Sequence, residues 1–130
     1  MSRDYNAEAK DHPEHSYAYA FDYLMHEYML KTFGPSMVAG SALELGCFEG
    51  HFTQRLLGHF ATVDVVEASS DCIEVAASKT GEAATFYHST FETFEPKKKY
   101  DNIVLIHTLE HLDEPVEVLS RIRQWLSERG

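Results

Sequence analysis

Apolar and polar positions alternate in blocks along the chain, and the blocks carry two periods. From about His15 to Phe33 the chain is rich in Tyr, Phe, Met and Leu without a breaker, which predicts a helix ended by Gly34-Pro35. "SALEL" (41–45) reads as a short buried strand. Phe52, Leu56, Leu57 and Phe60 stand at helical spacing and predict a helix over about 50–60. "TVDVVEA" (62–68) predicts a second strand. Ser70 or Asp71 is placed to cap a helix with Ile73, Ala76 and Ala77 on one face, and Gly81 follows its end. "ATFYH" (84–88) predicts a third strand. "YDNIVLIH" (100–107) predicts a fourth, its apolar run suited to a sheet covered on both faces. Asp113 is expected to cap a last helix, with Pro115 in its first turn and Val116, Leu119, Ile122 and Leu126 facing inward. Residues 1–13 are polar and expected to be loose, and the aromatics Tyr17, Tyr19, Phe21, Tyr23 and Tyr28 are expected in core and lid packing.

This succession predicts an α/β fold with a parallel sheet. Right-handed crossovers place the strands in the order 3-2-1-4, with helices on both faces. Ligands bind such sheets beyond the carboxyl ends of the strands, where the order reverses, here between the first and fourth strands. The expected organisation is one domain over 1–130, with a helical cap at 1–40 and a ligand-binding half at 41–130.

Composition narrows the function. A chain of 130 residues can bury a single core. The net charge of −10 argues against binding nucleic acid or acidic membranes, because phosphate neutralisation needs Lys and Arg. The basic run Lys97–Lys99 reads as a solvated loop. No segment approaches the roughly 18 apolar residues of a membrane span, and the N-terminus lacks an apolar signal region. Cys47 and Cys72 have neither metal nor disulfide spacing, so the expected setting is cytoplasmic with free thiols.

"ALELGCFEGHF" (42–52) lies at the switch point. A dinucleotide fingerprint needs G-x-G-x-x-G. From Gly46, Phe48 stands at the second glycine position and His51 at the third, while Glu49 adds negative charge. NAD is therefore disfavoured, and a ligand without phosphates fits better. S-adenosylmethionine is such a ligand.

The chain resembles the class I, Rossmann-like S-adenosylmethionine-dependent methyltransferases, over about residues 40–126. Glu44, Gly46 and Gly50 match the family's first motif, acid-x-Gly-x-Gly-x-Gly, with Phe48 in place of the middle glycine. Glu67 ends the second strand, 21 positions after Gly46, where the family has a ribose-binding acid. "HSTFETF" (88–94) resembles the loop that holds adenine, and "YDNIVLIHTLEHLDEP" (100–115) resembles the fourth-strand motif of the small-molecule branch. The resemblance implies a cofactor site of Glu44, Gly46, Cys47, Phe48, Gly50, Glu67, Ala68, Thr90, Phe91, Glu92 and His107. It implies methyl transfer to an oxygen or nitrogen of a small molecule. His107 and His111 are the candidate catalytic bases, since imidazole titrates near neutral pH. Some relatives hold a divalent ion with E-x-x-E-H there; this chain has His107 in the first position, and no metal is expected.

Each residue alone has a plainer reading. Gly46 and Gly50 can simply permit a tight turn, Glu67 can be a surface acid, and His107, Glu110 and His111 can be polar residues at a strand end. An inactive S-adenosylmethionine-binding module and, less favoured, an NAD-dependent oxidoreductase stay open as alternatives. The family's sheet has seven strands and four are expected here, which suggests a truncated form. The fourth strand would then have a bare apolar edge, expected to pair with a second copy of the chain.

Overall fold

The computed structural model describes residues 3–10 and 16–130. Its elements are helix α1 (Tyr5–Lys10), helix α2 (Ser16–Phe33), strand β1 (Ala42–Leu45), helix α3 (His51–Leu56), strand β2 (Val63–Glu67), helix α4 (Ser70–Thr80), strand β3 (Ala84–His88), strand β4 (Asn102–Leu105) and helix α5 (Pro115–Trp125). The four strands are parallel in the order β3-β2-β1-β4, as the alternation predicts.

The sheet is covered on both faces. Ala42, Val63, Val65 and Val104 pack with Phe52, Leu56 and Ala76 from α3 and α4 and with Leu30 from α2. Leu43, Leu45 and Val66 pack on the other face with Phe94, Tyr100, Val118, Ile122 and Trp125. All four residues of β1 are buried, which explains its unbroken apolar reading apart from Glu44. One polar cluster ties the sheet below the site: the Tyr100 hydroxyl donates to Asp64 at 2.7 Å, and Lys98 pairs with the same carboxylate at 2.8 Å.

Several expectations need correction. The cap of α4 is Ser69, not Ser70 or Asp71; its hydroxyl accepts from the Cys72 N–H at 3.2 Å. Asp113 does not cap α5, whose first flanking residue is Glu114; Asp113 instead pairs with Arg3 at 3.1 Å. Val116 and Leu119 do not face inward, being 75% and 45% exposed. α5 carries two apolar stripes that share Ile122, and the one containing Val118 and Trp125 is buried because the indole fills the space beside Phe94 and Tyr100. Leu126 lies beyond the helix. The basic run is exposed, yet Lys98 holds Asp64 and Lys99 donates to the Gln124 carbonyl. Phe21 and Tyr28 are exposed rather than core; the side chains of Tyr17 and Tyr19 lie outside what is described.

Two further differences bear on the site. Residues 5–10 are not loose but form α1, docked on α4; residues 1, 2 and 11–13 of the expected loose segment lie outside the described residues. β4 is shorter than 100–107, and its edge is not wholly bare. Tyr100 pairs in parallel with Leu126: its N–H donates to the Trp125 carbonyl at 2.9 Å and its carbonyl accepts from Ser127 at 2.8 Å.

Candidate functional site

The floor of the site is built where β1 and β2 end. The chain leaves β1 through Gly46 with φ of 78°, a left-handed conformation. A Cβ there would stand 2.7 Å from the Thr108 hydroxyl, which donates to the Leu45 carbonyl at 3.0 Å. A side chain would collide with the turn after β4, so glycine is required. Phe48 is also left-handed, with φ of 48°, although it is not glycine. Its backbone is held by Glu67, which ends β2. Glu67 Oε2 accepts from the N–H groups of Cys47 at 3.1 Å and Phe48 at 3.2 Å, and Oε1 accepts from Ser69 at 2.9 Å. Three backbone donors thus fix one carboxylate, and that carboxylate fixes the turn.

Glu44 lies beneath this turn, fully buried. Its Oε2 accepts from the Thr53 hydroxyl at 2.5 Å, and its Oε1 has no hydrogen-bond partner. Burial, opposed by the Thr53 bond and aided by the Glu67 charge, pushes its carboxyl up to about 8. Burial likewise pushes the Cys47 thiol far up, which removes it as a nucleophile at neutral pH.

The floor opens into a cavity of about 630 Å³. Ala68, Thr90, Phe91 and Glu92 line one side. His107, in the bend after β4, and Glu110 and His111, on the single helical turn that follows it, line another. His107 is left-handed, with φ of 51°, and its ring sits between two carboxylates: Nε2 is 3.9 Å from Asp22 and Nδ1 is 3.7 Å from Glu110. Non-glycine residues rarely take this conformation, and two of them border the one cavity.

The roof comes from α1 and α2. Asn6 Oδ1 accepts from the Ser69 hydroxyl at 2.8 Å, Lys10 pairs with Asp71, and Arg3 joins Glu8 to Asp113 and donates to the His111 carbonyl. From α2, Asp22, Tyr23 and His26 reach the cavity, and Tyr23 stacks on His51 with ring centres 3.8 Å apart. His26 is only 6% exposed and its Nδ1 has no partner. Burial first, then the neighbouring His107, pulls its imidazole down to about 4, so it is neutral.

Glu44, Gly46, Cys47, Phe48, Glu67, Ala68, Thr90, Phe91, Glu92, His107 and His111 therefore border a single cavity. Gly50 does not. Its left-handed turn starts α3, and a Cβ would stand 2.7 Å from the Ala76 Cβ, so it serves the close packing of α3 on α4. Sequence reasoning missed Asp22, His26 and all of α1. A signal for the first two was present: Asp22 and His26 stand one turn apart among the aromatic and apolar residues of α2.

Comparison with known proteins agrees with this architecture. Residues 16–130 match a family model described as a methyltransferase domain. A malonyl-[acyl-carrier protein] O-methyltransferase from Halalkalibacterium halodurans is 32% identical over 96 residues, spanning 68% of this chain and 35% of that protein. Nodulation protein S from Bradyrhizobium diazoefficiens is 30% identical over 110 residues, spanning 83% of this chain and 53% of that protein. The chain thus covers between a third and about half of the curated relatives it matches. The crystal structure of the N-methyltransferase NodS from Bradyrhizobium japonicum, in complex with S-adenosylhomocysteine, superposes with a TM-score of 0.75 at 21% identity, over 97% of this chain and 63% of that one. Coclaurine N-methyltransferase superposes with a TM-score of 0.71 at 24% identity, over 81% of this chain and 34% of that one. Both share the fold.

Proposed function

The chain belongs to the methyltransferase-domain family, and from that premise we propose that it binds S-adenosylmethionine and methylates an oxygen or nitrogen of a small molecule. The observation that carries the reading is Glu67. A carboxylate has about four acceptor positions, and three backbone donors leave Oε1 one lone pair for a ribose hydroxyl. Glu44 supports it. Its buried, unpartnered Oε1 lines the cavity, and the ammonium of an amino-acid tail beside it would favour the charged carboxylate over the protonated form. Thr90, Phe91 and Glu92 would hold the adenine, and the backbone at Gly46, Cys47, Phe48 and Ala68 would let the ligand approach closely. Bound there, the cofactor supplies an electrophilic methyl carbon on a cationic sulfur.

The remaining work falls to this chain's own residues. The cavity walls orient the acceptor and exclude water. His107, between Asp22 and Glu110, is the better-placed proton acceptor; His111 stands at the rim, where its carbonyl holds Arg3. No helix among the described residues is long and apolar enough to cross a membrane. We place the reaction in the cytoplasm, where the buried thiols of Cys47 and Cys72 stay reduced. We further propose that two copies associate through β4, one of the two edge strands. Light scattering at high concentration should find a dimer, and a stable monomer would refute that part.

Calorimetry with S-adenosylhomocysteine and with NAD tests the central reading. Binding of the first and not the second is expected. Binding of NAD alone would return the site to dinucleotide chemistry.

A further inference from the structure

We propose that the acceptor is an amine, taken as its ammonium at the cavity corner lined by Asp22, His107 and Glu110, on the side of the unpartnered Nδ1 of His26; this rests on the methyltransferase reading. The first ground is the charge of the cavity. Carboxylates reach it from the floor, the loop after β3, the turn after β4 and both roof helices. Among the described residues Arg3 is the one Lys or Arg that lines it, and Arg3 is already held by Glu8 and Asp113. A carboxylate or phosphate acceptor would meet no free cation and several like charges. A neutral alcohol would offer Asp22 and Glu110 no positive charge.

The second ground is independent of the acids. His26 is buried and neutral, lines the cavity, and has a ring nitrogen with no partner. Such an atom is costly unless something satisfies it. Asp22 and His26 are one turn apart on α2 and so share a face. The His26 ring centre is 6.2 Å from that of His107, which itself lies between Asp22 and Glu110. An ammonium has three donors in a small volume, and this corner offers it two carboxylates and an imidazole. Among the described residues, no lysine or arginine fills that role at the corner.

An ammonium has no lone pair and must give up one proton before its nitrogen can attack carbon. His107 is placed to accept it. The N–H bond breaks, its electron pair stays on the amine nitrogen, and the imidazole becomes imidazolium between Asp22 and Glu110. The N-methylated product can again carry a positive charge, so the acids suit both ends of the reaction.

The test compares three probes of one shape, 2-phenylethylamine, 3-phenylpropanoate and 2-phenylethanol, by saturation-transfer NMR on the full chain loaded with S-adenosylhomocysteine. The amine should bind roughly tenfold tighter than either of the others. The double variant Asp22→Asn, Glu110→Gln should lose most of that preference, and His26→Phe should weaken the amine by roughly threefold or more. Equal binding of the three probes, or an amine affinity unchanged in the double variant, overturns the inference. Calorimetry of S-adenosylhomocysteine on the same proteins separates the two readings. Cofactor binding without amine preference sinks only the acceptor assignment. No cofactor binding sinks the methyltransferase reading and this inference with it.

Discussion

The floor and the roof of the cavity are built by different physics. In the floor, Glu67 is gripped by three backbone N–H groups from the turn beside it and from its own strand end. Those donors lose little freedom on folding further, and salt screens them weakly. In the roof, α1 is held by side chains: Arg3 to Asp113, Asn6 to Ser69, Lys10 to Asp71. The charged roof residues are exposed, and exposed pairs are worth about 0–1 kcal/mol each. Each region also keeps one buried ionisable group with a single unpartnered atom lining the cavity, Glu44 Oε1 below and His26 Nδ1 above. In the proposed function the floor is the fixed part that would hold the cofactor, and the roof the adjustable part that would meet the acceptor.

Those two buried groups give the largest effects, with opposite signs. Glu44 is raised from 4.5 to about 8, so between those values the folded chain keeps a proton that the unfolded chain has released. Stability must fall as pH rises through that window, on the order of a few kcal/mol in all. Urea titrations across pH 4.5 to 8 should show the slope, and Glu44→Gln should flatten it. A slope unchanged in the variant would place the charge elsewhere. His26 is lowered from 6.5 to about 4, so as pH falls through that range the unfolded chain takes the proton first. Its contribution is present above 6.5 and is lost on acidification. His26→Phe should remove this second, smaller and opposite slope.

Next comes the strained turn of the floor. Gly46→Ala meets both a positive φ and the Thr108 hydroxyl and should cost about 1–3 kcal/mol, seen as a melting temperature several degrees lower. Gly81→Ala is the control: it has a positive φ but open space, so its loss should be smaller. Equal losses would mean that the contact with Thr108 contributes nothing. The smallest effect belongs to the roof. Arg3→Ala should change stability by less than about 1 kcal/mol, and less still in high salt. A larger, salt-independent loss would show α1 to be part of the core.

Much of the floor was legible in the sequence because it is local. A strand ending in Gly46, an acid ending the next strand at Glu67 and the alternation of elements fix the strand order and the place of the cavity. The roof was not legible. α1 has six residues and no buried side chain, and it is held by partners more than sixty positions away, such as Ser69 and Asp71. No periodicity encodes such docking. The orientation of α5 failed for another reason. Val116 and Leu119 form a stripe as regular as Val118, Ile122 and Trp125, and only the space beside Phe94 and Tyr100 decides between them. Gly50 is a different case: its spacing fits a cofactor loop, and its Cβ position is taken by Ala76 of the neighbouring helix.

The claim that the floor holds the cofactor is tested most directly by titrating S-adenosylhomocysteine into three proteins by calorimetry: the parent chain, Glu67→Ala, and the roof variant Arg3→Ala, Asn6→Ala. The account predicts that Glu67→Ala loses about 1–3 kcal/mol of binding, roughly five- to 150-fold in affinity, while the roof variant stays within a few-fold of the parent. An unchanged affinity in Glu67→Ala, or a roof variant that loses as much as the floor variant, would contradict it.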